Sequence, residues 1–356
     1  MIFLLLQITQ SSPDFDGQVL TSSPFTDYVK LLPESVLLPT LYTTEEKDLL
    51  IGTTLWDALN QKICFMEDEF ADFYENTKDN SWAQKYWWDE KTGKLDFSDW
   101  LLVDALYRSR ALDLPNIGHA MVPCVDMANH SAVADQKATY ESKPDGSATL
   151  ERVGHGRTLG KGEEVTINYG DEKGACEMLF SYGFLDPDMS YTRAMFLGLD
   201  IPQDDPLRIL KRAVNKEMPG IKLLSNDEGQ PGVQGDFIWW NCVNEEDGLN
   251  FRVAQDTSGD QQVEMLWHDE LVNASDLRQL LQDDPRAPIF RLRVIVLLMD
   301  IIEVQGESML PEDAFLKSRE QEGVRIFVWE HISKLRRLET NSLVAAWRDL
   351  NEQVKN

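Results

Sequence analysis

Four side chains that can bind or polarise a ligand lie close together near the middle of the chain. They are Asp126, Asn129, His130 and Ser131, in the stretch VPCVDMANHS at residues 122–131. They follow an apolar run that predicts the end of a buried strand. Asp, Asn and Ser are also common turn formers, so a plain polar turn explains the same pattern. The Asn-His-Ser sequence also fits an N-glycosylation acceptor.

A second candidate is Arg110, at the end of the segment DFSDWLLVDALYRSRALDL. This segment predicts a helix with an apolar stripe through Trp100, Val103 and Tyr107, and Arg110 is the next position on that stripe. A guanidinium in this place can hold a carboxylate with its planar fork. It can equally lie near the helix C-terminus and extend to water.

Three aromatic residues complete the set of candidates. Tyr169 lies in the segment GKGEEVTINYG, which predicts a turn and then a strand with Val165, Ile167 and Tyr169 on one face. Tyr182 and Phe184 flank Gly183 at the end of a predicted short helix in KGACEMLFSYGFLDP. Aromatic residues of this kind most often pack in a core. Their order along the chain, after Arg110 and DMANHS, favours a functional role.

The surrounding elements can be predicted from capping and periodicity. Thr43 followed by Glu46 is a capping box that predicts a helix start. The segment ATYESKPDGSATLERV predicts two strands around a Pro-Asp-Gly turn. Apolar residues at spacings of three and four recur towards the C-terminus, so we expect residues 196–356 to form an all-helical domain.

The charge of the chain limits its partners. The 356 residues contain 34 Lys and Arg and 61 Asp and Glu, which gives a net charge of −27. So acidic a surface repels phosphate backbones and argues against direct nucleic-acid binding. It would attract a basic protein by long-range steering, although acidity also serves solubility alone.

The cysteines and the first residues indicate the compartment. The four cysteines contain no CxxC pair, which argues against a structural zinc site or a disulfide framework. The opening MIFLLLQITQ lacks a basic n-region and a small-residue cleavage site, and its apolar run is too short to span a bilayer. We therefore expect an intracellular monomer, in cytoplasm, nucleus or both, with no membrane contact.

The ordered motifs DMANHS, GEEVTINYG and SYGF resemble the signature of the SET domain. With FSDWLLVDALYRSR before them, the chain resembles the Rubisco large-subunit lysine methyltransferase-like branch, in its fungal-type form. The resemblance covers nearly the whole chain and is strongest over residues 97–187. It implies an α+β fold: a β-rich SET domain at 1–195, with a helical insert at about 43–117 and a C-terminal core at about 118–195. A helical substrate-binding domain at 196–356 follows.

The family's cofactor is S-adenosylmethionine, and the resemblance assigns five residues to it. Asn129 and the main chain of His130 would contact the cofactor, with Asp126 beside them. Arg110 would hold the methionine carboxylate, and Phe184 would pack against the adenine. The resemblance implies no metal.

The resemblance also implies the reaction. Tyr169 would be the catalytic tyrosine, and Tyr182 would line the channel for the target side chain. The expected activity is in-line methyl transfer to a deprotonated lysine amine of a basic protein, for which alignment is the main task. Fungal members act on ribosomal and other soluble proteins. One branch methylates a histidine of actin, so the target atom stays open.

Two departures from the family pattern keep a second hypothesis open. The family opens with a strand region that carries a Gly-x-Gly loop over the cofactor, whereas the first residues of this chain resemble the family's next segment. Gly174 and Ala175 stand where the family usually has a Ser-Asn pair. The alternative is a non-catalytic SET-like binding module, or a truncated fragment, that cannot hold S-adenosylmethionine.

Overall fold

The computed structural model describes residues 1–20, 25–91, 94–115, 117–153, 159–216, 218–226, 228–255 and 261–355. The chain forms two compact units, each built from segments distant in sequence. Unit 1 comprises Met1–Leu50, Leu55–Pro187 and Lys317–Ile332. Unit 2 comprises Ile51–Thr54, Asp188–Leu316 and Ser333–Asn356. The division at residue 195 stays a prediction.

Helices dominate both units. In chain order the α-helices are α1 (Ile2–Ser11), α2 (Phe25–Val29), α3 (Thr44–Asp48), α4 (Thr54–Thr77), α5 (Ser81–Ala83), α6 (Phe97–Arg108), α7 (Ala175–Tyr182), α8 (Arg208–Val214), α9 (Phe237–Trp240), α10 (Leu277–Asp283), α11 (Ala287–Ser308), α12 (Glu312–Lys317) and α13 (Ile326–Lys355). Short 3₁₀ turns and a π-helical turn at Gln84–Trp88 connect some of them. No helix within the described ranges is long and apolar enough to cross a membrane.

The strands are short and antiparallel. They are β1 (Leu112–Leu114), β2 (Gly118–Ala120), β3 (Ala138–Ser142), β4 (Ala148–Arg152), β5 (Ala194–Leu197), β6 (Ile221–Ser225), β7 (Pro231–Gln234), β8 (Leu249–Gln255), β9 (Gln261–Trp267) and β10 (Glu270–Val272). In unit 1, β1 pairs with β2 and β3 with β4, with Ala138 opposite Arg152. The hairpin predicted around Pro-Asp-Gly is confirmed.

Local signals in unit 1 act as predicted. The Thr43 side chain accepts from the Glu46 N–H and the Glu46 side chain accepts from the Thr43 N–H, so the capping box is formed at α3. A similar reciprocal cap, from Asp96 and Asp99, begins α6. Helix α7 ends at Gly183, whose φ of 78° is left-handed. These signals therefore fix where α3 and α6 begin and where α7 ends.

Two apolar clusters form the interior of unit 1. The larger one joins α1, α4 and α6, where Phe73 stacks on Trp100 with ring centroids 4.8 Å apart. A smaller one gathers β1 and the 3₁₀ turn Val125–Met127 around the buried Ile167. This second cluster anchors the backbone next to two candidate site residues. Val125 directly precedes Asp126, and Ile167 lies two residues before Tyr169.

Unit 2 contains two three-stranded sheets, in the orders β5-β6-β7 and β10-β9-β8. The α+β class with a helical C-terminal region is confirmed, but the prediction that residues 196–356 are helical throughout is wrong. The missed strands make up about half of the segment from Ile221 to Val272. Burial alternates along β6, the period-2 pattern of a half-buried strand. The helical periodicity of α11 and α13 is real, but it begins only after these strands.

Two local strand predictions in unit 1 are also wrong. The segment at residues 163–169 contributes only an isolated parallel bridge, between His130 and Ile167. No strand leads into residues 122–131, since β2 ends at Ala120 and a 3₁₀ turn at Val125–Met127 follows. An alternation of apolar residues indicates that every second side chain is buried. Here a single β-bridge buries these side chains, and no continuous pairing of two strands is needed.

Candidate active site

Two distant segments of unit 1 are held side by side at the centre of the site. The Ile167 N–H donates to the Asn129 carbonyl over 2.9 Å, and the Ser131 N–H donates to the Ile167 carbonyl, also over 2.9 Å. The Ser131 hydroxyl donates to Thr166 Oγ1 over 2.9 Å. These bonds place residues 128–131 beside residues 166–169, so the polar groups of both segments meet.

Tyr169 is fixed by two hydrogen bonds from this arrangement. Its hydroxyl donates to the Ala128 carbonyl over 2.8 Å. Its N–H donates to Nδ1 of His130 over 3.1 Å, so Nδ1 is an acceptor here. The Tyr169 proton is committed to Ala128, which leaves the lone pairs of its oxygen free for another donor. The predicted catalytic residue therefore has a defined orientation.

An aromatic cluster surrounds Tyr169. Its ring centroid lies 4.6 Å from that of Tyr182, 5.2 Å from His130 and 6.2 Å from Phe184. Burial raises the pKa of Tyr169 to about 12, and the nearby Tyr182 adds to that effect. Burial likewise raises the pKa of Tyr182 to about 12, with Glu177 contributing. Both hydroxyls stay neutral and able to donate at physiological pH.

Arg110 lies beyond its predicted helix. Helix α6 ends at Arg108, so Arg110 leaves the stripe and extends towards Asp126. Its Nη1 is 3.4 Å from both Oδ2 and the main-chain oxygen of Asp126. The Asp126 side chain is fully buried, and its Oδ2 also accepts from the hydroxyl of Tyr28. The guanidinium is thus paired, loosely, with a buried carboxylate.

A small cavity of about 60 Å³ opens among these residues. Its lining contains four of the predicted site residues, Arg110, Asp126, Tyr169 and Tyr182. Small-molecule sites usually enclose about 300–1,000 Å³, so this cavity suits the end of one side chain rather than a nucleotide-sized ligand. The other lining residues are Ser109, Ala111, Leu112, Asp113, His119, Ala128, Tyr140, Ile167 and Lys173.

The other three predicted residues lie around this cavity. His130 and Phe184 pack within the aromatic cluster, with ring centroids 5.6 Å apart. Asn129 is exposed, and its Nδ2 donates to Oε1 of Glu164 over 2.5 Å. The structure therefore gathers all seven residues into one region. Their individual roles stay predictions.

Sequence reasoning missed Tyr28 and Tyr140, which complete the buried part of the site. Tyr28 lies on α2 and Tyr140 on β3, and neither belongs to a motif. Burial raises the pKa of Tyr140, and Asp113 adds to it. The only sequence signal was aromatic character in a short helix and a strand, which is too common to indicate a site. Within the described residues, no group of acidic, His and Cys side chains could hold a metal ion.

Comparisons with known proteins show which proteins the chain resembles. No model of a protein family matches the chain. It is 29% identical over 272 residues to SET domain-containing protein 8 of Schizosaccharomyces pombe, which covers 76% of this chain and 60% of that protein. It is 26% identical over 188 residues to a chloroplastic [fructose-bisphosphate aldolase]-lysine N-methyltransferase of Arabidopsis thaliana, covering 50% of this chain and 37% of that enzyme. The chain thus spans less than two thirds of either relative.

Solved structures show the same fold. The structure of Rubisco LSMT bound to AdoMet superposes with a TM-score of 0.64 at 15% identity, covering 98% of this chain and 74% of that one. The SET domain of LSMT bound to methyllysine and AdoHcy gives a TM-score of 0.63 at 16% identity, with coverages of 99% and 74%. The predicted resemblance is confirmed in the fold: the chain folds like the SET-domain structures of Rubisco LSMT and is similar in sequence to SET domain-containing protein 8.

Proposed function

We propose that this protein is an S-adenosylmethionine-dependent protein-lysine N-methyltransferase that acts on a basic intracellular protein. The observation that carries the proposal is Tyr169, whose hydroxyl is oriented by Ala128 at the wall of a cavity of side-chain size. A tyrosine-lined, poorly hydrated cavity favours the neutral form of an entering amine, which is the nucleophile. The net charge of −27 favours encounter with a basic substrate.

The chemistry of the polar groups fits the proposed cofactor. Arg110 would hold its carboxylate, Asn129 and the main chain of His130 would contact its polar groups, and Phe184 would pack against its adenine. When bound, the cofactor would supply a methyl group on a positively charged sulfonium sulfur, which would leave as a neutral thioether. The cavity of about 60 Å³ would hold only a part of the cofactor, and the exposed Asn129 lies outside the cavity lining.

The residues of the chain supply alignment and electrostatics. The oxygen of Tyr169, with its proton directed to Ala128, can face a carbon that carries positive charge and stabilise it as that charge shifts. The rings of Tyr182 and Tyr140 exclude water from the target amine. The raised pKa of Tyr169 keeps it from ionising in the working pH range.

The test is a paired measurement of cofactor binding and methyl transfer. Isothermal titration gives the affinity for S-adenosylmethionine. Transfer of a tritiated methyl group to RNA-free ribosomal proteins gives the activity. We expect Tyr169→Phe to bind the cofactor within about threefold of the original chain and to lose transfer by about 100-fold, the usual effect of removing one oriented group. Tyr74→Phe, a partly exposed position on α4, is the matched control.

The outcomes separate the two hypotheses. Cofactor binding with transfer that depends on Tyr169 supports the enzyme. A folded chain that does not bind S-adenosylmethionine contradicts the proposal and favours the non-catalytic binding module. Equal transfer by Tyr169→Phe and the original chain would refute the role given to Tyr169.

A further inference from the structure

A second cavity of unit 1 is lined by residues that the proposed reaction does not use. Its volume is about 220 Å³, and it shares no lining residue with the cavity beside Tyr169. Helices α1 and α2 supply most of the wall, with Phe3 and Leu4 on α1 and Val29 on α2, and Met121 also lines it. An apolar cavity of about 150 Å³ holds benzene, so this larger one can hold a small organic molecule.

The wall is apolar except for three polar side chains, none of which is charged. Among the lining residues that the structure describes there is no Asp, Glu, Lys, Arg or His. The Tyr28 hydroxyl donates to Asp126, and the Tyr107 hydroxyl donates to the His119 carbonyl over 3.1 Å. Both tyrosine protons are therefore committed to partners that do not line the cavity.

The third polar side chain is the amide of Gln7, which keeps an unused donor. Gln7 lies on α1 and is fully buried. Its Oε1 accepts from the Thr26 hydroxyl over 2.6 Å. Its Nε2 is also buried and has no hydrogen-bond partner in the described part of the chain. A buried donor without a partner costs free energy, so a ligand that brings an acceptor to Nε2 removes that cost.

We propose that this cavity binds a neutral, apolar organic molecule with one carbonyl oxygen, and that Gln7 Nε2 donates to that oxygen. A carbonyl accepts and brings no proton of its own, so the ligand leaves no donor unpaired in the apolar wall. A carboxylate or an ammonium would be disfavoured, because no charged side chain of the wall can pair with it. The volume sets the ligand at roughly six to nine non-hydrogen atoms.

Gln10 provides a matched comparison on the same helix. It is 6% exposed, and its Oε1 accepts from the Leu20 N–H over 2.7 Å. Its Nε2, like that of Gln7, is buried without a partner among the described residues. Gln10 does not line the cavity, however. A variant of Gln10 therefore reports the general effect of removing a buried amide from α1.

The experiment uses cyclohexanone and methylenecyclohexane, two rings of nearly the same shape of which only the first has a carbonyl oxygen. Each is titrated into the full chain, and NMR of ¹³C-labelled methionine methyl groups is read at Met121. We expect saturable binding of cyclohexanone. In Gln7→Met the Kd of methylenecyclohexane divided by that of cyclohexanone should fall about tenfold, because only the ketone loses a hydrogen bond. In Gln10→Met this ratio should stay within about twofold.

Three results would overturn the proposal. They are a ratio that Gln7→Met leaves unchanged, an equal fall in Gln10→Met, and no saturable binding of cyclohexanone by the original chain. Circular dichroism checks the folding of each variant. If Gln7→Met does not fold, intermolecular NOEs in the original chain decide. They should join cyclohexanone to the Met121 methyl and not to Met66, a buried methionine of unit 1 outside the cavity, and the reverse pattern would refute the site.

Polypeptides carry the same carbonyl chemistry, and a third probe separates the two sources. N-acetyl-leucine methylamide has an apolar side chain between two main-chain amides. We expect it to bind about tenfold more weakly than cyclohexanone, because burial of its N–H groups in the apolar wall costs free energy. Equal or tighter binding would identify a protein segment as the occupant and overturn the assignment to a small molecule. None of these measurements depends on methyl transfer, so the site stands or falls apart from the proposed function.

Discussion

Glu339 is a buried acid in unit 2 whose ionisation should control stability. It is 1% exposed, on α13, and its carboxylate accepts from the Thr54 N–H at 3.2 and 3.3 Å and from the Thr54 hydroxyl. Burial raises the pKa of Glu339 to about 7, although the Thr54 hydrogen bonds and Arg336 oppose the rise. We predict that Glu339→Gln stabilises the protein at alkaline pH.

The sign follows from the two protonation states. Below the unfolded-state pKa of 4.5, both states are protonated and the group contributes no pH dependence. Between 4.5 and about 7 the unfolded state releases the proton while the folded state retains it, so stability falls as pH rises. Above about 7 the loss is complete. A shift from 4.5 to about 7 corresponds to roughly 3 kcal/mol, most of which develops between pH 5 and pH 8.

The assay is urea denaturation of both proteins at pH 5, 6, 7 and 8, followed by circular dichroism. Glutamine keeps an oxygen for the Thr54 donors but cannot ionise. The advantage of Glu339→Gln over the original chain should therefore grow by about 2–3 kcal/mol between pH 5 and pH 8. Glu330→Gln, at an exposed position on the same helix, is the control. A difference between Glu339→Gln and the original chain that does not change with pH would refute the reasoning.

Two further substitutions test unit 1. Arg325→Met should destabilise it by about 2–3 kcal/mol, because the buried Glu46 carboxylate loses the two hydrogen bonds of 2.6 and 2.7 Å from the guanidinium, while the partial exposure of the Arg325 side chain moderates the loss. A change in Tm of less than 1 °C would contradict this. Gly183→Ala should cost at least about 2 kcal/mol, because φ is +78° and an added Cβ would lie 2.4 Å from the Leu37 carbonyl oxygen. Gly146→Ala, with φ +81° and open space, should cost about 1 kcal/mol. Equal urea midpoints for the two would show that the Leu37 contact is unimportant.

The helical part of the fold was predictable because its signals are local. The Thr43 and Glu46 capping box and the left-handed Gly183 act within a few residues of where they stand. The sheets of unit 2 were not predictable in the same way. Strands β8 and β9 are partly exposed and mix polar with apolar residues, and their pairing, not their composition, makes them strands.

The candidate site was predictable where its residues stand in ordered motifs and not elsewhere. Asp126 and Tyr169 stand in motifs, and the structure brings them to one cavity. Tyr28 approaches Asp126 across 98 residues, a contact that no local pattern encodes. The position of Arg110 was also not predictable. The apolar periodicity predicts that Arg110 lies on helix α6, but α6 ends two residues earlier, at Arg108.

The Glu46–Arg325 pair has a consequence for how the protein is made. Residues 317–332 belong to unit 1, yet they are synthesised after most of unit 2. At about 5–20 residues per second, a ribosome needs on the order of ten seconds to pass from residue 187 to residue 332. During that interval the Glu46 carboxylate lacks its ion-pair partner Arg325. Unit 1 therefore cannot complete its folding until residues 317–332 have been synthesised. A fragment ending at residue 187 should for the same reason be a poor source of isolated unit 1.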